Sequence, residues 1–408
     1  MAESLYIHWP FCARKCPYCD FNSHVRTQID TALWQQSLIT DMRREAEHTA
    51  GRNPLKSIFF GGGTPSLMPP ALVAALLAEA ERLWGFAPNI EITLEANPSS
   101  VEAANFAALA TTGVNRISLG VQAIDDNTLK FLGRLHGADE ALAALAVAQS
   151  HFARVSIDLI YARPSQTPEQ WQAELTRALA LGTGHISLYQ LTIEPGTRFA
   201  TDVREHRFTP LPDDPAADLF TLTRELTAAA GLPAYEVSNH ARPGEESRHN
   251  LTYWRYGDYA GIGPGAHGRR PATTLTERAH GRRPAATLTE RVHGHRNATA
   301  TIRHKKPENW LSAIATQGDG IAEHRPLPPR EQAAEALLMG LRLAEGIDPA
   351  ALATRFALLP TDLIDPKAVA RYAAQGLVET YGTRLIVTET GMPVLNALIA
   401  ELVADGLT

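Results

Sequence analysis

The amino-acid sequence predicts an α/β fold built on a parallel sheet, doubly wound or closed toward a barrel, with a smaller helical unit after it. Three observations carry this expectation. Short runs rich in β-branched and aromatic residues alternate with Ala- and Leu-rich stretches of helical spacing from the start of the chain. The residue types that do chemistry gather just after those runs, where the carboxyl ends of parallel strands lie. A chain of 408 residues, 44% of them hydrophobic, also exceeds what one ordinary core holds, so two domains are expected.

The strand-like runs are LYIHW, KSIFF, IEITLE, RISLGV, ARVSIDLIY, HISLYQL and AYEVSN, all before residue 240. Between them, PPALVAALLAEAERLW, VEAANFAALATTG and DEALAALAVAQSHFA place apolar residues at the spacing of one helix face. A core of residues 1–265 is read from this alternation. The pattern then changes: GRRPATTLTERAH (268–280) is followed by GRRPAATLTERVH (281–293), a direct duplication that matches at eleven of thirteen positions. Two short copies without apolar periodicity do not make a solenoid, so 266–306 is expected to be an exposed basic loop. From 307 to 408 helical patterns return, and helix, GLVE, RLIVTE and a last helix read as a winged-helix-like module.

The net charge of −6 argues against a general nucleic-acid binder. No apolar run is long enough to span a bilayer, and MAESLYIHWPF lacks the blocks of a secretory signal, so a cytoplasmic protein is expected. The three cysteines fall within eight residues, which makes a disulfide framework implausible and points to ligands. Zinc would need a fourth ligand, which His8 or His24 could supply.

Cys12, Cys16 and Cys19 have the spacing CxxxCxxC, and three thiolates can hold three irons of a cubane while the fourth iron stays open. Gly61, Gly62 and Gly63 remove side chains where a backbone can approach a ligand, with Thr64 and Pro65 fixing the exit of the turn. Glu95 and Gln122 follow the third and fourth strands and can project into one cavity; Arg134 offers a forked donor suited to a carboxylate, and Asp158 ends the next strand.

Together LYIHWPFCARKCPYCDFNS, FFGGGTPSLM, LEANPSS, RISLGVQAIDDNTLKFLGRLH and DLIY resemble the radical-SAM superfamily, within it the oxygen-independent coproporphyrinogen III oxidase-like family and its heme-chaperone branch. The resemblance implies a partial (β/α) barrel, a [4Fe–4S] cluster on the three cysteines and S-adenosylmethionine (SAM) on the open iron. It implies a SAM pocket lined by Tyr6, Tyr18, Gly62, Gly63, Thr64, Glu95, Gln122, Arg134 and Asp158, and assigns no further catalytic side chain. One departure stands out. Where the family shows DLIYGLPGQT this chain has DLIYARPSQT, and if that turn needs positive φ, Ala162 and Ser165 each cost about 1 kcal/mol.

Oxidases of this family carry a fourth cysteine where this chain has Phe21, and an N-terminal extension before the first strand. The chaperone branch is marked by HNxxYW, here His249, Asn250, Tyr253 and Trp254 around Leu251 and Thr252. The resemblance implies heme binding through this motif, with His249 the axial ligand. The expected function is a heme chaperone that delivers its cargo to membrane-bound respiratory proteins, peripherally at the inner membrane. The rival is SAM-dependent radical decarboxylation of coproporphyrinogen III. An electron donor is required if SAM is cleaved, and the oligomeric state, a homodimer included, stays open. Residues 267–306 hold ten Lys or Arg against two Glu, a composition that suits heme propionates or an anionic membrane as well as plain solvation.

Overall fold

The computed structural model describes residues 2–51, 53–271, 298–404 and Leu407. Most of the tandem duplication therefore lies outside the described residues. Eleven strands of one sheet are present among those described: β1 (Ser4–Trp9), β2 (Leu55–Gly62), β3 (Phe86–Ala96), β4 (Arg116–Gln122), β5 (Arg154–Tyr161), β6 (His185–Gln190), β7 (Asn239–Ala241), β8 (Tyr259–Ile262), β9 (His267–Pro271), β10 (Ala298–Arg303) and β11 (Ile321–Leu327). Their spatial order is β11-β10-β9-β8-β1-β2-β3-β4-β5-β6-β7. The run from β8 through β1 to β6 is parallel, and β7, β9, β10 and β11 add antiparallel edges.

The connections carry α1 (Thr31–Thr49), α2 (Pro70–Trp84), α3 (Ala138–His151), α4 (Pro168–Leu179) and α5 (Asp213–Ala229). Local sequence starts them: the Asp30 side chain accepts from the Leu33 N–H at 3.0 Å, and Thr167 with Gln170 forms a reciprocal cap behind Pro168. Leu5 and Ile7, Ile58 and Phe60, Ile92 and Leu94, Ile117 and Leu119 alternate along the strands and are buried in the core shared with these helices. The opposite parity is polar and bonds to itself across the other face of the sheet. Ser4 meets Ser57 at 2.7 Å, Ser156 meets His185 at 2.7 Å, and buried Glu91 takes Arg154 at 2.7 Å and Arg116 at 3.2 Å.

The sheet does not stop at residue 265. β9 and β10 come from the segment expected to be loop, and β11 follows α7 (Pro307–Gln317), whose Trp310 packs in the first core. Arg303 of β10 is buried against α1, 2.7 Å from Asp41 and 2.9 Å from Glu45; Asp41 also accepts from the Gly263 N–H and Trp310 Nε1. A second core of Leu337, Leu341, Leu363, Leu385 and Leu402 gathers behind α8 (Pro329–Gly340). There α9 (Pro366–Ala374), the hairpin of β12 (Val378–Tyr381) and β13 (Arg384–Val387), and α10 (Leu395–Leu402) follow in the expected winged-helix-like order. None of the described helices is long and apolar enough to cross a membrane.

Candidate functional site

The carboxyl ends of β2 to β6 and the loop after β1 surround a cavity of about 850 Å³. Cys12 closes a two-residue strand that pairs with His24–Val25, so the intervening loop returns on itself and carries Cys16 and Cys19. The side-chain amide of Asn22 ties this loop to the carbonyls of Pro264 and Lys305, each at 2.9 Å. All three cysteines are free thiols of intermediate exposure, and all three line the cavity.

The turn after β2 is stitched to the same loop: Gly63 N–H donates to the Trp9 carbonyl at 2.7 Å and Thr64 N–H to that of Phe11 at 2.8 Å. A Cβ on Gly63 would sit 2.6 Å from the Phe11 carbonyl oxygen, so only glycine fits. Gly62 has φ +115° and leaves space filled by the His8 ring.

Sulfur is met by donors. Thr64 Oγ1 lies 3.4 Å from Cys12 Sγ and Arg134 Nη1 3.5 Å from Cys16 Sγ. Arg134 reaches Asn97 Oδ1 at 2.6 Å, the Gly120 carbonyl at 2.9 Å and Tyr18 Oη at 3.4 Å, while its buried Nε finds no partner. Asn97 donates on to Thr64 at 3.1 Å, so a continuous chain of hydrogen bonds runs from Cys12 to Cys16. Sequence reasoning missed Asn97, although it sits two positions past Glu95 at a strand end. It also missed Tyr189, which lines the cavity from the end of β6.

Gly62, Gly63 and Thr64 line the cavity, with Tyr18 and Arg134 beside the thiols, and Glu95, Gln122 and Asp158 line it too. Glu95 accepts from the Gly62 N–H at 3.2 Å, and burial followed by the nearby Asp158 charge pushes its carboxyl up to about 8. Burial also raises Asp158 to about 6, against hydrogen bonds from Ser187 and Ser118. Burial lifts the Cys12 and Cys19 thiols as well, a cost that bound iron would reverse. Gln122 holds φ +70°, which turns the chain sharply at the mouth of the cavity.

The turn after β5 has the strain foreseen for it. Ala162 is at φ +56° and Ser165 at φ +58°. Between them Arg163 is buried and pairs with Glu174 of α4, which anchors the turn.

Two sets of expected residues lie outside the cavity lining. Tyr6 does not line the cavity; its hydroxyl is bonded to His8 Nδ1 at 2.9 Å. The motif His249, Asn250, Tyr253 and Trp254 also lies away from the cavity lining, on α6 (Arg248–Trp254). His249 is 1% exposed, with Nδ1 3.1 Å from Ser57 Oγ and Nε2 2.7 Å from Tyr253 Oη. Both ring nitrogens are taken, so His249 is not presented as an open axial ligand.

The donor set fits an iron–sulfur cubane and SAM. Three unbonded thiols, donors aimed at two sulfurs and a side-chain-free turn face one cavity. Among the described residues no three His, Cys, Asp or Glu side chains close on one metal ion. A cubane asks for something different, one thiolate at each of three irons.

A family model described as the Radical SAM superfamily matches residues 6–178, and one described as the HemN C-terminal domain matches residues 327–394. The radical S-adenosyl methionine domain-containing protein 1, mitochondrial, of Bos taurus is 39% identical over 346 residues, 84% of this chain and 74% of that one. The heme chaperone HemW of Escherichia coli strain K12 is 45% identical over 269 residues, 65% of this chain and 70% of that one. Among solved structures, coproporphyrinogen III oxidase (HemN) from Escherichia coli, described as a radical SAM enzyme, superposes with a TM-score of 0.77 over 98% of this chain and 89% of that one. At 22% identity that last likeness is one of fold.

Proposed function

We propose that this chain, which belongs to the HemW branch of the HemN-like radical-SAM family, is a heme chaperone that holds a [4Fe–4S] cluster and SAM in the cavity and passes heme to respiratory proteins at the membrane. The observation that carries the reading is the 45% identity to a heme chaperone over 70% of that protein's length. Phe21, in place of the family oxidases' fourth cysteine, supports the same side.

In this reading Cys12, Cys16 and Cys19 hold the cluster. When bound, cluster and SAM supply one-electron reduction of a sulfonium. The protein's own residues set the conditions. Thr64 and Arg134 place donors on the thiolate sulfurs, which lowers the cost of negative charge there. Glu95, protonated near neutral pH, can donate to a ribose oxygen as well as accept from one. Asn97 keeps Arg134 in register with Thr64, so both ends of the cysteine loop are held to one strand end.

The test is anaerobic reconstitution followed, on the same sample, by heme titration and by a decarboxylation assay on coproporphyrinogen III. Saturable heme binding without carbon dioxide release is expected. Carbon dioxide release with no heme binding would assign the chain to the oxidase reaction instead.

A further inference from the structure

The column of side chains beneath the three-glycine turn has a role that neither cluster nor SAM contacts account for. It begins on α6. The His249 N–H donates to Glu91 Oε1 at 3.2 Å, and its Nδ1 shares a hydrogen with Ser57 Oγ, which meets Ser4 Oγ at 2.7 Å. Ser4 in turn meets Thr252 Oγ1, back on α6, at 2.7 Å. The helix is thus bonded to β1 and β2 near their amino-terminal ends and to the middle of β3.

From there the contacts climb. The His249 ring stacks on Phe59 at 5.1 Å and 28° and lies 6.3 Å from Tyr6; Tyr6 and Phe59 stack at 6.4 Å. Both rings press under Gly61, where a Cβ would come within 2.9 Å of Tyr6 Cε2 and 3.1 Å of Phe59 Cε1. The Tyr6 hydroxyl bonds to His8 Nδ1, and His8 Nε2 meets the Asn22 carbonyl at 2.9 Å. That carbonyl can only accept, so Nε2 carries the ring proton and Nδ1 accepts from Tyr6. Burial keeps His8 neutral, holding it down to about 4, consistent with this tautomer. The His8 ring fills the space under Gly62, whose N–H reaches Glu95. One continuous stack therefore joins α6 to the glycine turn and to the cysteine loop.

We propose that His249 and Tyr253 are positioning residues for the cofactor cavity: through Phe59 and Tyr6 they support the glycine turn, and through His8 they set its distance from the cysteine loop. The inference rests on the reading of that cavity as a SAM site and gives the HNxxYW motif a task other than iron ligation. Tyr253 serves by capping His249 Nε2 and by packing edge-on against Tyr259 of β8 at 4.5 Å, which closes the column on its far side.

The experiment compares the reconstituted wild-type protein with His249→Ala, His249→Gln, Tyr253→Phe and Ser57→Ala. SAM affinity is measured by calorimetry, the SAM-induced change in the reduced-cluster EPR spectrum is recorded, and iron content and heme titration are followed in parallel. His249→Ala should bind SAM about tenfold more weakly, the lower end of what losing an outer supporting partner costs a metal site, with iron content retained and the EPR change reduced. His249→Gln, which restores a polar side chain at the same place, should recover most of the affinity. Heme affinity that persists in His249→Ala supports the proposal. SAM affinity within twofold of wild type would overturn it. Should His249→Ala fail to fold, Tyr253→Phe and Ser57→Ala each remove one hydroxyl of the column, and unchanged SAM affinity in both overturns the proposal equally. Failure of wild-type heme binding would count against the chaperone reading alone.

Discussion

Replacing Glu95 by Gln should change how the stability of the cofactor-free protein depends on pH. Glu95 is raised from an ordinary 4.5 to about 8 because it is buried beside Asp158. Its folded value lies above its unfolded value, so the folded state keeps the proton longer. The charged side chain is then a penalty, absent at acid pH and complete above about pH 8. At about 1.4 kcal/mol per unit the shift would be worth on the order of 5 kcal/mol in a sealed site; Glu95 faces an open cavity, so about half of that is expected.

The buried histidines act in the opposite sense. His8 and His136 are held down to about 4, His240 and His249 to about 3, each by burial first. Below their ordinary 6.5 the unfolded chain takes up protons that the folded one refuses, and stability falls with falling pH. Wild type should therefore show a dome of stability, with Glu95 a principal contributor to its alkaline side. Urea midpoints from about pH 5.5 to 8.5 measure it. The gap between Glu95→Gln and wild type should widen by about 2 kcal/mol across that range. Parallel curves would refute the reasoning and mean that water reaches Glu95 freely.

Three further outcomes are expected. Cys16→Ala should abolish the brown chromophore after anaerobic reconstitution, since two thiolates leave a cubane short of an anchor; a full iron and sulfide complement would contradict the site. Ala162→Gly should raise the thermal midpoint, because relief of φ +56° is worth about 1–2 kcal/mol against about 0.5–1 lost to glycine's freedom; a drop in the midpoint would show that the Ala162 side chain packs. Deleting residues 281–293 should leave melting temperature and iron content unchanged, because β9 and β10 already pair at Pro271 and Ala298 and halving a connection alters closure by only about 0.6 kcal/mol. A fall of several degrees would show that the deleted segment is packed, and a fall in heme affinity alone, larger at low salt, would make it an electrostatic contact for propionates.

The parallel sheet was legible because LYIHW, KSIFF and RISLGV announce strands by composition and the Ala- and Leu-rich stretches announce helices by period. The cysteine loop and the glycine turn were legible because their residue types have few other uses at that spacing. The strain at Ala162 and Ser165 could be foreseen because the resembling family has glycine at both positions, and a turn that needs glycine's positive φ penalises any side chain put there. Direction was not legible. His249 beside two aromatics reads from its own residues as a packed ring and by resemblance as a ligand, and the partner that holds its ring here, Ser57, is 192 residues away. Arg134 reads as a free fork until Asn97 and the Gly120 carbonyl occupy it. The sheet's extension beyond 265 was hidden because β9 and β10 are short and polar: HGRRP and ATATIR owe their place to buried Arg303 rather than to an apolar face.

That anchoring has a consequence for what can be attached to this protein. The hairpin of β9 and β10 is clamped at its root from two sides. Arg303 is fixed by two carboxylates of α1, and Arg269 pairs with Glu335 of α8 while its guanidinium lies 3.8 Å above the Tyr256 ring. Strand register runs unbroken from His267–Ile302 to Pro271–Ala298. Tension or bulk introduced beyond Pro271 is borne by these clamps before it reaches β8 and then β1, which leads into the cysteine loop. A reporter domain or affinity handle grafted between Pro271 and Ala298 would therefore be insulated from the cofactor cavity by the clamped strands.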